Sequence, residues 1–120
     1  MPYDETLAVR VRRALARAGA TERKMMGGLV FLVEGRIVCG VDRDDLIVRV
    51  GRAGEEAALA RPHTRPMEIG GRTTRGFVLV ARRGTAHGAS LRAWIARGVS
   101  GARASGKPGQ TGRRRLGRRA

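Results

Sequence analysis

Few side chains of this 120-residue sequence have the chemistry of an active site. Cys39 is the single cysteine and His63 and His87 are the two histidines, so a thiol–imidazole pair is the first arrangement to consider. Cys39 lies inside the apolar segment 37–41, however, where burial disfavours the thiolate. We interpret Cys39 as a structural cysteine that points into the core, because free cysteines are among the most buried residues.

The candidate metal and nucleotide sites fail on spacing. The cysteine and the two histidines are not clustered and have no fourth ligand, so we expect no zinc site. In the acidic segment 42–45, a calcium loop would need a glycine where Ile47 stands and a glutamate where Ala53 stands. Segment 71–76 has the glycine spacing of a phosphate loop, but apolar residues follow it in place of Lys and Ser or Thr. We predict no metal and no cofactor.

Two charged groups complete the search for chemistry. Glu55 and Glu56 are adjacent on a predicted helix, so their side chains diverge by about 100° and make a poor acid–base pair. We expect both to be solvated charges. Arg65, Arg72 and Arg75 flank the last predicted strand and could collect an anion, although any exposed hairpin of so arginine-rich a chain would look similar. No nucleophile, base and orienting group occur together, so we predict that the protein is not an enzyme.

The elements that must position these residues are clearest between residues 24 and 41. Residues 29–33 form a continuous apolar run, which is typical of a strand covered on both faces. Glu34-Gly35 suits a hairpin turn, because glycine readily adopts a positive φ. The core face of the return strand is expected to carry Ile37, Cys39 and Val41, and its other face Arg36, Val38 and Gly40. Gly27-Gly28 breaks the chain before the first of these strands and is interpreted as a bulge or turn, the alternative being a partner-facing bend beside Lys24 and Met25.

The remaining pattern places helices around a sheet. Helical spacing predicts a first helix from Asp4 to Gly19, a short helix over 53–60 and a last helix that contains Trp94 and ends near Ala102. Strands are predicted near 21–26, 29–33, 36–41, 46–50 and 73–80, with a loop that carries His63, Arg65 and Pro66 before the last of them. Since the connections are too short for parallel crossovers, neighbouring strands should be antiparallel. We therefore predict an α+β fold of two layers, a mainly antiparallel meander sheet of about five strands with helices packed on one face.

The segment Lys24-Met25-Met26-Gly27-Gly28-Leu29-Val30-Phe31 resembles the Lys-Met-Phe-Gly-Gly-Leu-x-Phe signature of the amino-terminal domain of the TfoX (Sxy) family. Met26 replaces the usual Phe, which is an apolar change of similar volume. Further features follow in the family's order: Tyr3-Asp4-Glu5, Gly40-Val41-Asp42, Leu46-Ile47-Val48-Arg49-Val50, Arg61-Pro62, Pro66-Met67 and Leu91-x-x-Trp94. The resemblance covers about residues 3 to 102 and implies the same architecture and a transcription-linked role. The family's regulators of natural competence carry a second, carboxy-terminal domain where this chain has a short basic tail.

From the distribution of charge along the chain we predict a domain over residues 1–102 and a basic tail over residues 103–120. The total is +15, and the tail has no acid, is poor in apolar residues and is predicted to be disordered. Its cations are Arg103, Lys107, Arg113, Arg114, Arg115, Arg118 and Arg119. These residues could contact nucleic acid by neutralising phosphates. Alternatively, the 23 arginines against two lysines reflect a GC-rich genome.

Two functions follow as hypotheses. The first is a small non-enzymatic interaction module with a protein partner of unknown identity, in a regulatory setting. The alternative is a nucleic-acid-binding accessory protein that uses its basic tail. The sequence has no apolar run of about 18 residues and no signal peptide, so we expect no membrane partner and a cytoplasmic location. A homodimer through an uncovered sheet face or edge remains open.

Overall fold

The computed structural model describes residues 3–25 and 27–104. Its elements in chain order are α1 (Glu5–Ala14), β1 (Thr21–Met25), β2 (Gly28–Val33), β3 (Arg36–Asp42), β4 (Asp45–Arg49), α2 (Gly51–Leu59), β5 (Thr64–Ile69), β6 (Arg72–Val80), a 3-10 helix (Arg82–Thr85) and α3 (Gly88–Ala104). The first helix begins where the sequence predicts. The Asp4 carboxylate accepts a hydrogen bond from the Thr6 N–H at 2.9 Å, which satisfies one of the free donors at the helix start.

The six strands form one antiparallel sheet in the order β1-β2-β3-β4-β6-β5. The predicted α+β class and antiparallel sheet are confirmed, with six strands rather than five. The additional strand is β5, which occupies the segment where the sequence analysis predicts a loop with His63, Arg65 and Pro66. A proline is tolerated there because β5 lies at the edge of the sheet and pairs on one side, with β6.

A bulge in β3 changes which residues face the core. Phe31 on β2 pairs with Cys39, whereas the next residue, Leu32, pairs with Ile37, so Val38 is an extra residue on β3. As a result Val38 and Cys39 both belong to the core. Ile37 lies on the opposite face, which corrects the predicted alternation at Ile37 and Val38. Cys39 points into the core, as the sequence predicts.

The core lies between the sheet and the three helices. Phe31 is fully buried at its centre, and Val11 from α1 and Trp94 from α3 belong to the same cluster. Two glycines of α3 allow the helix to lie directly on strands β3 and β4. A Cβ atom added at Gly98 would lie 2.5 Å from the Val38 carbonyl oxygen, and one at Gly101 would lie 2.7 Å from the Val50 carbonyl carbon. The helix could not approach so closely with larger residues at these positions.

The last helix continues two residues beyond the predicted boundary at 102. Arg103 and Ala104 are helical, so Arg103 belongs to the folded domain and not to a tail. The other predicted tail cations lie outside the described residues: Lys107, Arg113, Arg114, Arg115, Arg118 and Arg119. None of the helices over the described ranges is long and apolar enough to cross a membrane.

Candidate interaction site on the open face of the sheet

The three helices lie on one side of the sheet, and the other side, here called the open face, carries an apolar groove of about 380 Å³. Each of the six strands contributes to its apolar lining, which consists of Met25, Val30, Ile37, Ile47, Met67, Ile69, Phe77 and Leu79. Val30 and Ile47 form its floor, since both are buried but lie outside the core cluster. An apolar concavity of this volume is within the range that accommodates a small ligand or a few side chains of a partner.

Two large apolar residues of this groove remain open to solvent. Met25 on β1 is 37% exposed and Ile69 on β5 is 40% exposed, and these two strands are the opposite edges of the sheet. Asp42 and Glu68 also line the groove, and no lysine or arginine among the described residues does. In a chain with a net charge of +15, this makes the groove apolar with a negative lining.

Arg49 lies against Phe77, one of the aromatic residues of the chain and part of the groove lining. Its guanidinium is 5.6 Å from the centre of the Phe77 ring, an arrangement that is attractive through the ring quadrupole. Burial, and to a lesser extent the nearby positive charge of Arg36, lowers the pKa of Arg49. The Nη1 atom of Arg49 also donates to the Ile37 carbonyl oxygen at 3.4 Å. Phe77 therefore lines the groove and also contacts the guanidinium of Arg49.

The three arginines considered above as a possible anion site, Arg65, Arg72 and Arg75, are not gathered into one site. Arg65 on β5 pairs with Asp45 on β4 at 2.6 Å and so reaches across β6, which lies between those strands. Arg75 pairs with Glu55 of α2 at 2.9 Å. With two of the three cations already paired to carboxylates, Arg65, Arg72 and Arg75 do not form an anion site.

Residues 13–102 match the TfoX N-terminal domain family. The chain belongs to this family. The chain matches no curated protein sequence and no solved structure. The matched residues include all six strands of the sheet. The open face therefore belongs to the TfoX N-terminal domain.

The glycines of the family signature have a structural explanation in this TfoX N-terminal domain. Gly27 has a φ of +82°, a conformation that side chains other than glycine rarely adopt. A Cβ atom at Gly28 would lie 2.7 Å from the Val41 carbonyl oxygen, so glycine permits the close approach of β2 and β3. Lys24 and Met25 are exposed on the edge strand β1, and Met25 lines the groove beside Gly28. The signature thus shapes one end of the open face.

Cys39 and the histidines do not form a nucleophilic pair in the domain. Cys39 is fully buried, whereas His63 and His87 are exposed. Burial raises the pKa of the Cys39 thiol to about 12, so the thiol stays protonated at neutral pH. Within residues 3–25 and 27–104, no group of three or more His, Cys, Asp or Glu side chains could hold a metal ion.

Glu55 differs from its predicted role as a solvated charge, whereas Glu56 is exposed as expected. The Glu55 carboxylate is buried and accepts hydrogen bonds from Arg75 at 2.9 Å and from the Gly76 N–H at 3.3 Å. The hydrogen bond from Arg75 is the main cause that lowers the pKa of Glu55, against the opposing effect of burial. The pair joins α2 to β6, so its role is to hold the helix on the sheet.

Because the pKa of Glu55 is lowered on folding, the carboxylate stabilises the folded domain above its unfolded pKa of about 4.3. This contribution is lost as the pH falls through the folded pKa. We expect Glu55→Gln to destabilise the domain by about 1–2 kcal/mol at pH 7, and by less at pH 3, in urea unfolding followed by circular dichroism. Glu56→Gln is the matched control and should follow the wild-type pH dependence. Equal losses for Glu55→Gln at both pH values would contradict this role.

The contribution of β5 to the groove is not predicted from the sequence pattern above. The signal is nevertheless present, because Met67 and Ile69 alternate and stand directly before a Gly70-Gly71 turn and a predicted strand. An alternating pair followed by two glycines and a strand is the pattern of a β-hairpin. That signal could have identified β5 and one wall of the groove.

Proposed function

We propose that this protein is a non-enzymatic interaction module, which binds an apolar segment of a partner protein in the groove on its open face. The groove is the observation that carries this proposal. It is built by one of the two faces of the sheet, and it leaves two large apolar side chains, Met25 and Ile69, exposed at opposite edges. Concave, mainly apolar sites with a few polar groups are the usual form of a binding pocket.

The lining indicates the chemistry of the partner segment. Asp42 and Glu68 contribute negative charge to a groove that has no cationic lining residue within the described ranges. A bound segment with apolar side chains and a lysine or arginine near its ends would complement both properties. A second copy of this chain fits less well, because two concave surfaces leave a void between them and bring their own carboxylates together.

The transcription-linked setting is what the resemblance to the TfoX family's competence regulators implies, and the match of residues 13–102 to the TfoX N-terminal domain is compatible with it. An interaction module needs no catalytic group to act in such a setting, because binding alone can recruit or sequester a partner. Regulation through the open face is therefore compatible with a groove whose lining is mainly apolar and includes Asp42 and Glu68.

The test is a selection of displayed random peptides on the immobilised full-length protein. We expect enriched peptides to be apolar with basic residues near their ends. The variants Met25→Lys and Ile69→Lys should each weaken binding of a selected peptide by about tenfold or more, because each places a charge at an apolar contact and repels the basic ends of the peptide. Fluorescence anisotropy with the synthetic peptide measures the change.

Val9→Lys is the matched control, since Val9 is 37% exposed on α1, on the other side of the sheet. This variant should bind the peptide like the wild type. Enriched peptides that bind all three variants equally would contradict the proposal. A wild-type dimer that Met25→Lys or Ile69→Lys dissociates would show instead that a second copy occupies the groove, which sedimentation equilibrium would detect.

A further inference from the structure

Charge is distributed unequally over the described fold. The α1 segment with its following turn (residues 5–20) and the segment from the 3-10 helix through α3 (82–104) contain nine arginines and one acid. The rest of the described chain contains ten cations and nine acids. Within the described residues, nearly all the excess positive charge therefore lies on these two segments. A composition bias alone explains many arginines, but it does not explain why the acids avoid these segments.

The two segments meet and form a groove of about 640 Å³, here called the basic groove. Arg17 lines it from the turn after α1, and Arg92 and Arg103 line it from α3. Its floor is apolar, with Leu15, Ile95 and Val99, and no acidic residue of the described ranges lines it. Among the residues that the structure describes, no ion pair involves any of the three arginines.

Helix geometry places Arg92 and Arg103 on the same side of α3. They are eleven residues apart, which corresponds to about 20° around the helix and about 16 Å along it. Arg17 lies across the groove from them, on the α1 side. The exposed hydroxyl-bearing residue Ser100 lines the groove between the two α3 arginines and offers an additional donor. The groove thus presents a row of hydrogen-bond donors about three helical turns long.

A row of unpaired guanidinium groups fits a linear polyanion. Each guanidinium matches phosphate oxygens with a planar, two-pronged set of donors. Duplex DNA presents one negative charge per about 1.7 Å of helix axis, so several phosphates pass any surface of about 16 Å. Aromatic side chains, on which unpaired bases stack, are absent from the described lining of this groove. The lining therefore suits a duplex backbone better than single-stranded bases.

We infer that the basic groove between α1 and α3 binds the phosphate backbone of duplex DNA without reading its sequence, with Arg17, Arg92 and Arg103 as the contacting cations. This site lies on the helical side of the sheet and is separate from the open-face groove. It goes beyond the proposed protein-binding function, and it assigns nucleic-acid contact to the folded domain rather than to the terminal arginines.

The test measures binding of the full-length protein to a fluorescently labelled DNA duplex of arbitrary sequence, by anisotropy over a range of salt concentrations. The groove variant combines Arg17→Gln, Arg92→Gln and Arg103→Gln. We expect it to weaken binding by about tenfold or more and to reduce the slope of log K against log salt by about two to three, as for three lost phosphate contacts. A control variant combines Arg23→Gln, Arg43→Gln and Arg72→Gln, which removes the same charge from exposed positions outside the groove.

The control variant should bind within about twofold of the wild type, because exposed charges away from the contact are screened at physiological salt. Ser100→Glu provides a single-residue test in case the triple variant unfolds, with Ala53→Glu on α2 as its control. Ser100→Glu should weaken binding and Ala53→Glu should not. Equal effects of groove and control variants would overturn the inference.

Two further measurements distinguish the basic groove from the terminal arginines and from a membrane-binding surface. A terminal variant replaces Arg113, Arg114, Arg115, Arg118 and Arg119 with glutamine in the full chain. The inference would be wrong if the terminal variant abolished duplex binding while the groove variant bound the duplex as well as its own control variant did. Vesicles that contain phosphatidylserine test the other common polyanionic surface. The inference would also be overturned if the wild type bound these vesicles but not the duplex, and if the groove variant lost the vesicle binding.

Discussion

Replacing Phe31 with alanine is expected to lower the free energy of unfolding by about 3–5 kcal/mol. Phe31 is fully buried at the centre of the core, on a strand that has a neighbour on each side. The substitution removes apolar contacts and leaves a cavity that the sheet cannot close, because β1 and β3 hold β2 in place. For a domain of ordinary stability, about 5–15 kcal/mol, this is a large fraction of the total.

Phe77 is the matched control, since it is the other phenylalanine of the chain and lies half-buried on the open face. Phe77→Ala should cost less, about 1–2 kcal/mol, because part of the ring already contacts water. Urea unfolding followed by the fluorescence of Trp94 and by circular dichroism measures both variants. If Phe77→Ala cost as much as Phe31→Ala, the division into a core face and an open face would be incorrect.

Gly101→Ala is expected to destabilise the domain by about 1–3 kcal/mol, towards the upper end of that range. The added Cβ atom would lie 2.7 Å from the Val50 carbonyl carbon and closer still to the Arg49 carbonyl oxygen. Both neighbours are backbone atoms at the end of β4, so neither can rotate away. The helix must shift from the sheet, and the packing of Trp94 and Ile95 in the core would be lost with it.

A second glycine-to-alanine substitution on a helix has the opposite expected sign. At Gly54 of α2 an added Cβ atom meets only the Val50 Cβ, at the ordinary contact distance of 3.7 Å. Gly54→Ala should therefore stabilise the domain by about 0.5–1 kcal/mol, because alanine is the better helix former. Thermal unfolding of the two variants tests this contrast. A Gly101→Ala protein as stable as Gly54→Ala would show that α3 does not contact the strands as closely as described.

We propose a different binding role for each side of the sheet. The open face has an apolar groove with acidic lining residues and suits a protein segment. The helical side has a groove with three arginines that form no ion pair with any other described residue, and it suits a polyanion. Since the grooves lie on opposite sides of one layer, the protein could bind both partners together. In the peptide and duplex binding assays, each set of substitutions should then leave binding at the other groove unchanged.

Much of the fold could be predicted from local patterns. The apolar run at residues 29–33, the Glu34-Gly35 turn and the spacing of Leu91, Trp94 and Ile95 each specify one element, because side-chain periodicity and turn chemistry act over a few residues. Asp4 likewise marks the first helix through its cap. The family signature at residues 24–31 is also visible in the chain, and the match over 13–102 confirms it.

The predictions are wrong where one element depends on another. β5 becomes a strand because β6 supplies its hydrogen bonds, which the composition of β5 alone does not indicate. The bulge at Val38 depends on the register between β2 and β3, and a shift of one residue moves Ile37 to the other face. The sequence pattern predicts Glu55 to be a surface charge. In the fold α2 packs against β6, and Glu55 accepts a hydrogen bond from Arg75.

The candidate sites show the same division between local and long-range information. The sequence by itself determined the fold class, the family and the burial of Cys39, because these depend on residue types and short spacings. Only the tertiary structure decided that apolar residues from all six strands form one groove, and that Arg17 faces Arg92 and Arg103 across another. The physical reason is that a binding surface is assembled from residues far apart in the chain, and their proximity is set by strand order and helix packing.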